Sequence, residues 1–349
     1  MISQSLVAYG VPLAERTAAL PQPSGSEVLM RISACGVCHS DLHLQDGHFN
    51  LGGGKTLDIR ALRNLPFTLG HEIAGRIEAA GPNASGLDRD MLYCVYPWIG
   101  CGTCSRCLSG REHTCDHPKQ LGITVDGGYA SHVLVPHPRY LIDATGLDPH
   151  RAGSLMCSGL TAFSAIRKAF RHRDRTPSLM IVGLGGVGIM AVEIAKALGA
   201  DHIYGADIAP AKLEAGLAAG CTAVFDPTAK DARRNVAAES GGIEASVDFA
   251  GTESSLQFAQ SIVAKGGIAV VVGLIGGSFT IPIPMFPLRE LTISGSYVGS
   301  LAEARELVTL AQSGQLAPIP VTSYPLADAN RSLDDLRAGS ITGRAVLIP

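Results

Sequence analysis

The chain has 349 residues, 46% hydrophobic and 17% charged, enough apolar material for large cores in about two domains at roughly 150 residues each. A formal net charge of −3 argues against nucleic acid or an anionic membrane as a main partner, and no apolar run reaches the roughly 18 residues of a membrane span. Met1 to Ser5 lacks the basic-then-apolar pattern of a signal peptide, so a cytoplasmic location is expected, where thiols stay reduced and nine cysteines point to metal ligation before disulfides.

Residues 1 to about 45 alternate short apolar runs with turn residues, as in Glu27 to Ser33, which predicts an antiparallel, β-rich region. The stretch Cys35-Gly36-Val37-Cys38-His39-Ser40-Asp41-Leu42-His43 gathers thiols, imidazoles and a hydroxyl within nine residues. A soft thiolate beside nitrogen donors suits Zn²⁺. Taken alone it fits a catalytic metal site, half of a structural zinc knuckle, or a buried cysteine flanked by surface histidines. The Gly-rich segment Gly47 to Pro66 predicts a long surface loop or lid with one helical turn near Leu57 to Leu62.

Gly70-His71-Glu72 then leads into an apolar strand pattern, with Glu72 suited to orient a metal's surroundings from the second layer. Cys101, Cys104, Cys107 and Cys115 follow the spacing C-x₂-C-x₂-C-x₇-C, which predicts a closed Cys₄ zinc site. An iron–sulfur cluster is the rival, opposed by the seven-residue gap and the missing proline. From Ser154 the apolar spacing becomes helical, with Cys157 in the first turn. The helix ends in a basic cluster, Arg167, Lys168, Arg171, Arg173 and Arg175, read as a solvated end complementing the helix dipole.

Next comes an apolar strand, Leu179 to Val182, the run Gly183-Leu184-Gly185-Gly186-Val187-Gly188, and an apolar helix from Ile189. This G-x-G-x-x-G has the strand–turn–helix setting that a dinucleotide fingerprint requires. Asp207 stands nineteen positions past Gly188, at the end of the next strand, where a ribose 2′-hydroxyl is gripped. A carboxylate there repels a 2′-phosphate and favours NAD over NADP. The βα alternation continues through Val247 to Ala250 and Ile268 to Gly273, as a parallel doubly wound sheet requires. Ile281-Pro282-Ile283-Pro284 is expected at an edge or interface, because proline does not fit mid-sheet. A helix near Ala302 to Gln312 and a strand near Ala345 to Ile348 complete the chain and are expected to return to the first domain.

In their order along the chain, Gly36-Val37-Cys38-His39-Ser40-Asp41, Gly70-His71-Glu72-x-x-Gly75-x₅-Gly81, the four-cysteine lobe, Cys157 and Gly183 to Gly188 resemble the zinc-dependent medium-chain alcohol dehydrogenases. The resemblance implies an α/β fold: a Rossmann doubly wound parallel sheet domain plus a β-rich GroES-like catalytic domain. It divides the chain into 1–152 (with a zinc lobe at about 94–117), 153–290, and 291–349 crossing back. It also implies two zinc ions, one catalytic on Cys38, His71 and Cys157 and one structural on the four-cysteine lobe, with Glu72 beside the catalytic ion. Zinc as a Lewis acid makes an alkoxide available near neutral pH, and its carbon passes hydride to NAD.

The same resemblance gives Ser40 the contact with the substrate oxygen and His43 the solvent end of a proton relay. It assigns the cofactor to His39, Gly183, Gly185, Gly186, Val187, Gly188, Asp207, Lys212, Val272 and Arg344, the arginine at the pyrophosphate. Phe49 and Trp98 are expected in the substrate pocket, leaving an apolar slot for medium-sized or aromatic alcohols. Cys35, Cys94 and Cys221 have no matching role and are expected to pack. Leu301 replaces an arginine that many relatives carry, and the turn at Leu87 to Met91 departs from the family pattern. The expected protein is a homodimer or homotetramer acting on a small alcohol or carbonyl substrate. The rivals are an NADPH-preferring carbonyl reductase, which Asp207 opposes, and a non-catalytic zinc-stabilised scaffold, which has no need of Ser40 and His43.

Overall fold

The computed structural model describes residues 1–171 and 177–349. The chain forms two compact units: residues 1–48, 58–160 and 299–349 make the first, and residues 49–57 and 161–298 the second. The junctions thus fall at 160 and 298, where the sequence places them near 152 and 290. Among the described residues, no helix is long and apolar enough to cross a membrane.

The first unit is built on a seven-stranded sheet. Leu141–Asp143, Tyr93–Val95, Glu72–Ala80, Val28–Val37, Arg344–Ile348 and Val321–Pro325 lie side by side in that order, and His132–Val135 also pairs with Val28–Val37. Ile2–Leu6, Ala14–Thr17 and Phe67–Thr68 form a second, small antiparallel sheet. The alternation expected near Val28 holds only at Arg31, which is exposed; almost every other residue to Val37 is buried. The strand is central, with Glu72–Ala80 on one side and Arg344–Ile348 on the other. That position places Cys38, just past its end, beside His71, just before the start of its neighbour.

In the second unit, Ala223–Phe225, Ile203–Ala206, Leu179–Val182, Ile243–Asp248, Val263–Val271 and Thr292–Gly295 form one sheet in that order, every neighbouring pair parallel. Leu179–Val182 and Ile203–Ala206 are buried throughout, as strands covered on both faces must be. Strand order reverses at Leu179–Val182, which places the crevice for a ligand at its carboxyl end.

Two expectations change, and a third gains detail. Gly47 to Pro66 is not a loop but a hairpin, His48–Gly52 paired with Lys55–Asp58, followed by a 3₁₀ turn at Arg60–Leu62. The hairpin joins the second unit, with Gly52 so close to Gly277 that a Cβ would fall 2.7 Å from its carbonyl carbon. Ile281 to Pro284 forms no strand; it leads into the short helix Met285–Arg289 ahead of the edge strand. In the basic cluster, Arg167 and Arg171 are exposed, but Lys168 is half-buried and donates to Ser296 Oγ at 2.8 Å, so it is not simply solvated. Arg173 and Arg175 lie outside the described residues.

Candidate active site and nucleotide crevice

The helix His39–Asp46 begins where the central strand ends, with Cys38 as its N-cap. Asp41 closes the cap by accepting the Cys38 N–H on Oδ2 at 2.9 Å. Cys157 lies at the break between the 3₁₀ turn Gly153–Met156 and the helix Ser158–Phe170, not within a helical turn. The break turns its thiol toward Cys38, the two sulfurs standing 3.9 Å apart.

Ligand atoms of Cys38, His71, Glu72 and Cys157 all lie within 4.8 Å of one another. Zinc–sulfur bonds of about 2.3 Å at a tetrahedral angle hold two sulfurs about 3.8 Å apart, so the Cys38–Cys157 spacing already suits the ion. His71 is fully buried, and neither ring nitrogen has a hydrogen-bond partner. Nδ1 stands 3.4 Å from Asp41 Oδ1 with poor alignment, which leaves Nε2 for a metal. An orphaned buried imidazole is costly, and a metal removes that cost. The residues therefore fit zinc.

Charge inside the cluster is divided unevenly. Hydrogen bonding from Cys157, with His71 and Arg344 nearby, holds the Cys38 thiol well below its ordinary range, and burial opposes this. The Cys157 thiol is pushed up in turn. Burial lifts Glu72 to about 7, against the opposing charge of Arg344. Arg344 is expected at a pyrophosphate; the structure buries it, 5% exposed, with its guanidinium bonded to Glu72 Oε1.

Trp98 braces this centre. Its indole donates to Met156 O at 2.7 Å, just before Cys157, and its ring meets His71 edge-on at 5.4 Å between centroids. Ser40 and His43 sit three apart on the helix and share a face. Ser40 Oγ is 3.7 Å from Cys38 Sγ. Burial holds the His43 imidazole below its ordinary value near 6.5, with Asp46 pulling the other way. Phe49 is half-buried in the hairpin of the second unit, and His39 is exposed on the first turn of its helix.

The four-cysteine lobe has the same geometry. Cys104 Sγ lies 3.5 Å from Cys107 and 3.8 Å from Cys115, and Cys101 lies 3.9 Å from Cys107. Backbone N–H groups of Cys101 and His117 donate to Cys115 Sγ, each at 3.3 Å. Four sulfurs at tetrahedral spacing leave no open position, the mark of a structural site. Cys35, Cys94 and Cys221 are buried elsewhere, Cys94 donating to Ala152 O at 3.1 Å.

In the second unit, Gly183 follows the strand Leu179–Val182 and Gly185 caps the helix Gly186–Ala197. Asp207 is 7% exposed; Oδ2 accepts the Leu184 N–H at 2.8 Å and Oδ1 the Ala209 N–H at 3.0 Å. It therefore ties the glycine turn to the next strand. Lys212 is exposed on the helix Pro210–Ala219, and Val272 donates its N–H to Asp248 O at 2.9 Å.

Two residues had no role from the sequence. Asp41 stood in the motif Gly36 to Asp41 with no role assigned to it. Tyr129, whose hydroxyl donates to Asp41 Oδ2 at 2.9 Å across 88 positions, had no local signal.

The site and fold define a zinc-binding dehydrogenase with a nucleotide domain. Residues 24–145 match the alcohol dehydrogenase GroES-like domain, and residues 186–313 match the zinc-binding dehydrogenase family. The chain is 38% identical, over its whole length and theirs, to an NAD-dependent alcohol dehydrogenase of Sulfurisphaera tokodaii. It is 39% identical over 99% of both chains to one of Saccharolobus solfataricus. The crystal structure of an alcohol dehydrogenase from Aeropyrum pernix superposes with a TM-score of 0.89, at 30% identity and full coverage of both chains. The chain belongs to the zinc-dependent medium-chain alcohol dehydrogenase family, enzymes that interconvert alcohols and carbonyl compounds.

Proposed function

We propose that this protein is an NAD-preferring alcohol dehydrogenase carrying two zinc ions per chain, one on Cys38, His71 and Cys157 and one on Cys101, Cys104, Cys107 and Cys115. The observation that carries the reading is the buried His71, its ring nitrogens without a hydrogen bond, beside two thiols at metal-binding spacing. When bound, zinc supplies a Lewis acid and NAD the hydride acceptor.

The chain's own residues do the rest. Trp98 keeps water from the His71 ring. Ser40 relays the proton of the substrate hydroxyl, releasing its own as it accepts the substrate's, and His43, on the half-buried face of the same helix, takes up the released proton and gives it to solvent. Glu72 stays beside the thiols, with the Arg344 guanidinium bonded to it and balancing its charge. The glycine turn offers backbone amides to the pyrophosphate. Asp207 keeps lone pairs beyond its two backbone bonds, enough to accept both ribose hydroxyls. Its charge disfavours a 2′-phosphate.

Support for a homodimer or homotetramer comes from the edge strand Thr292–Gly295 and the apolar side chains before it, with Ile283 82% and Leu288 68% exposed. A cytoplasmic location accords with the reduced thiols that both zinc sites need.

The test is a zinc count joined to an alcohol panel read as NADH formation. Wild type is expected to hold two zinc ions and Cys38→Ser one, folded and without turnover. Loss of both ions, or retained turnover, sinks the site assignment. Comparable efficiency with NADP sinks the cofactor assignment.

A further inference from the structure

Tyr129 is fully buried, so its hydroxyl needs a partner, and that partner is Asp41 Oδ2 at 2.9 Å. The same oxygen accepts the Cys38 N–H at 2.9 Å, while Asp41 Oδ1 faces His71 Nδ1 at 3.4 Å. One carboxylate thus meets two of the three ligand-bearing segments and the phenol. The ring is wedged as well. Its Cδ1 would lie 2.4 Å from a Cβ placed on Gly70, the residue just before His71, and Gly70 has φ +96°. Only glycine at 70 leaves room for the phenol ring beside the backbone that delivers His71. The Tyr129 amide adds a bond to Leu69 O at 2.9 Å.

We propose that Tyr129 is a positioning residue for the metal ligand His71, acting through Asp41. The phenol holds Asp41 in the rotamer that faces Nδ1. Asp41 then keeps that nitrogen protonated and turns Nε2 toward Cys38 and Cys157. The inference rests on the reading that these three residues hold a zinc ion. Partners of this kind typically change metal affinity about 10- to 100-fold when removed.

The experiment is zinc release from the holoenzyme to a chelator in excess, followed with a metal indicator. Tyr129→Phe removes only the hydroxyl and leaves the wedge against Gly70. One zinc equivalent is expected to leave about 10- to 100-fold faster than in wild type, and the other at the wild-type rate. Asp41→Asn is expected to speed the same equivalent, and the double variant to be no faster than Asp41→Asn alone, because the phenol acts only through Asp41. A change under twofold in Tyr129→Phe overturns the proposal. So does faster release of both ions, which marks general loosening, or multiplication of the two effects in the double variant. If Cys38→Ser retains both ions, the underlying site reading fails instead. If Cys38→Ser loses one and Tyr129→Phe releases both at wild-type rates, only the role of Tyr129 fails.

Discussion

Two glycines of one turn should respond oppositely to the same methyl group. A Cβ on Gly188 would stand 1.9 Å from Gly183 O and 2.9 Å from Gly183 C, both backbone atoms that cannot rotate away. An ordinary contact needs about 3.5 Å, so the helix Gly186–Ala197 must shift by about 1.5 Å from the strand it follows. Overpacking of this kind costs about 1–3 kcal/mol, and Gly188→Ala should lower the melting temperature of cofactor-free enzyme by several degrees. A Cβ on Gly185 meets nothing within 4 Å, and its φ of −72° and ψ of −170° suit alanine. Gly185→Ala should therefore be neutral, or stabilising by about 0.4–1 kcal/mol through the unfolded chain.

That open space is the reason for the contrast. If it receives the pyrophosphate, Gly185→Ala should raise the Kd for NADH tenfold or more, about 1.4 kcal/mol. NADH at 100 times the wild-type Kd stabilises by about 2.7 kcal/mol; a tenfold weaker site at the same concentration yields about 1.4. Calorimetric unfolding with and without NADH, and fluorescence titration, read both quantities. Unchanged NADH affinity in Gly185→Ala would refute the role of the turn, and unchanged stability in Gly188→Ala would refute the packing argument.

Ser40→Ala should lose most of kcat at little cost in stability, as the proposed contact of its hydroxyl with the reacting oxygen requires. With burial holding His43 neutral down to below 6.5, the rate should fall only as pH drops through that lower value, and His43→Gln should erase this limb of the pH profile; an unchanged profile makes His43 an ordinary histidine. The same depression means that His43 contributes stability present above the unfolded value and lost as pH falls through the folded one. Asp207→Ala should narrow the preference for NAD over NADP and, by releasing the Leu184 N–H, also weaken NAD binding; kinetics with both cofactors decide it. Phe49→Ala should admit bulkier alcohols and raise KM for small ones, and an unaltered ranking across the panel places Phe49 outside the pocket.

Local chemistry was legible because local geometry determines it. Four cysteines with two, two and seven residues between them converge on one point in a compact loop, and a strand, a glycine turn and a helix leave few backbone paths. Cys38 was ambiguous by itself, since C-x₂-C with Cys35 fits a zinc knuckle equally well. Their places along the chain separate the two: Cys35 lies within the central strand, buried against Gly70 and Gly128, while Cys38 lies past the strand end, facing Cys157.

What the sequence by itself determined, then, was the clustering of four cysteines and the strand, glycine turn and helix, because each depends on neighbours within a few residues. Only the tertiary structure decided their partners. Arg344 meets Glu72 across 272 positions and Tyr129 meets Asp41 across 88. Gly52-Gly53-Gly54 announced a turn without saying that Gly52 would rest on Gly277. Trp98 was visible as an aromatic near the site, but not as the brace joining the His71 ring to Met156 O. Periodicity reports which face a residue takes; which buried donor finds which acceptor depends on how distant strands are brought into register.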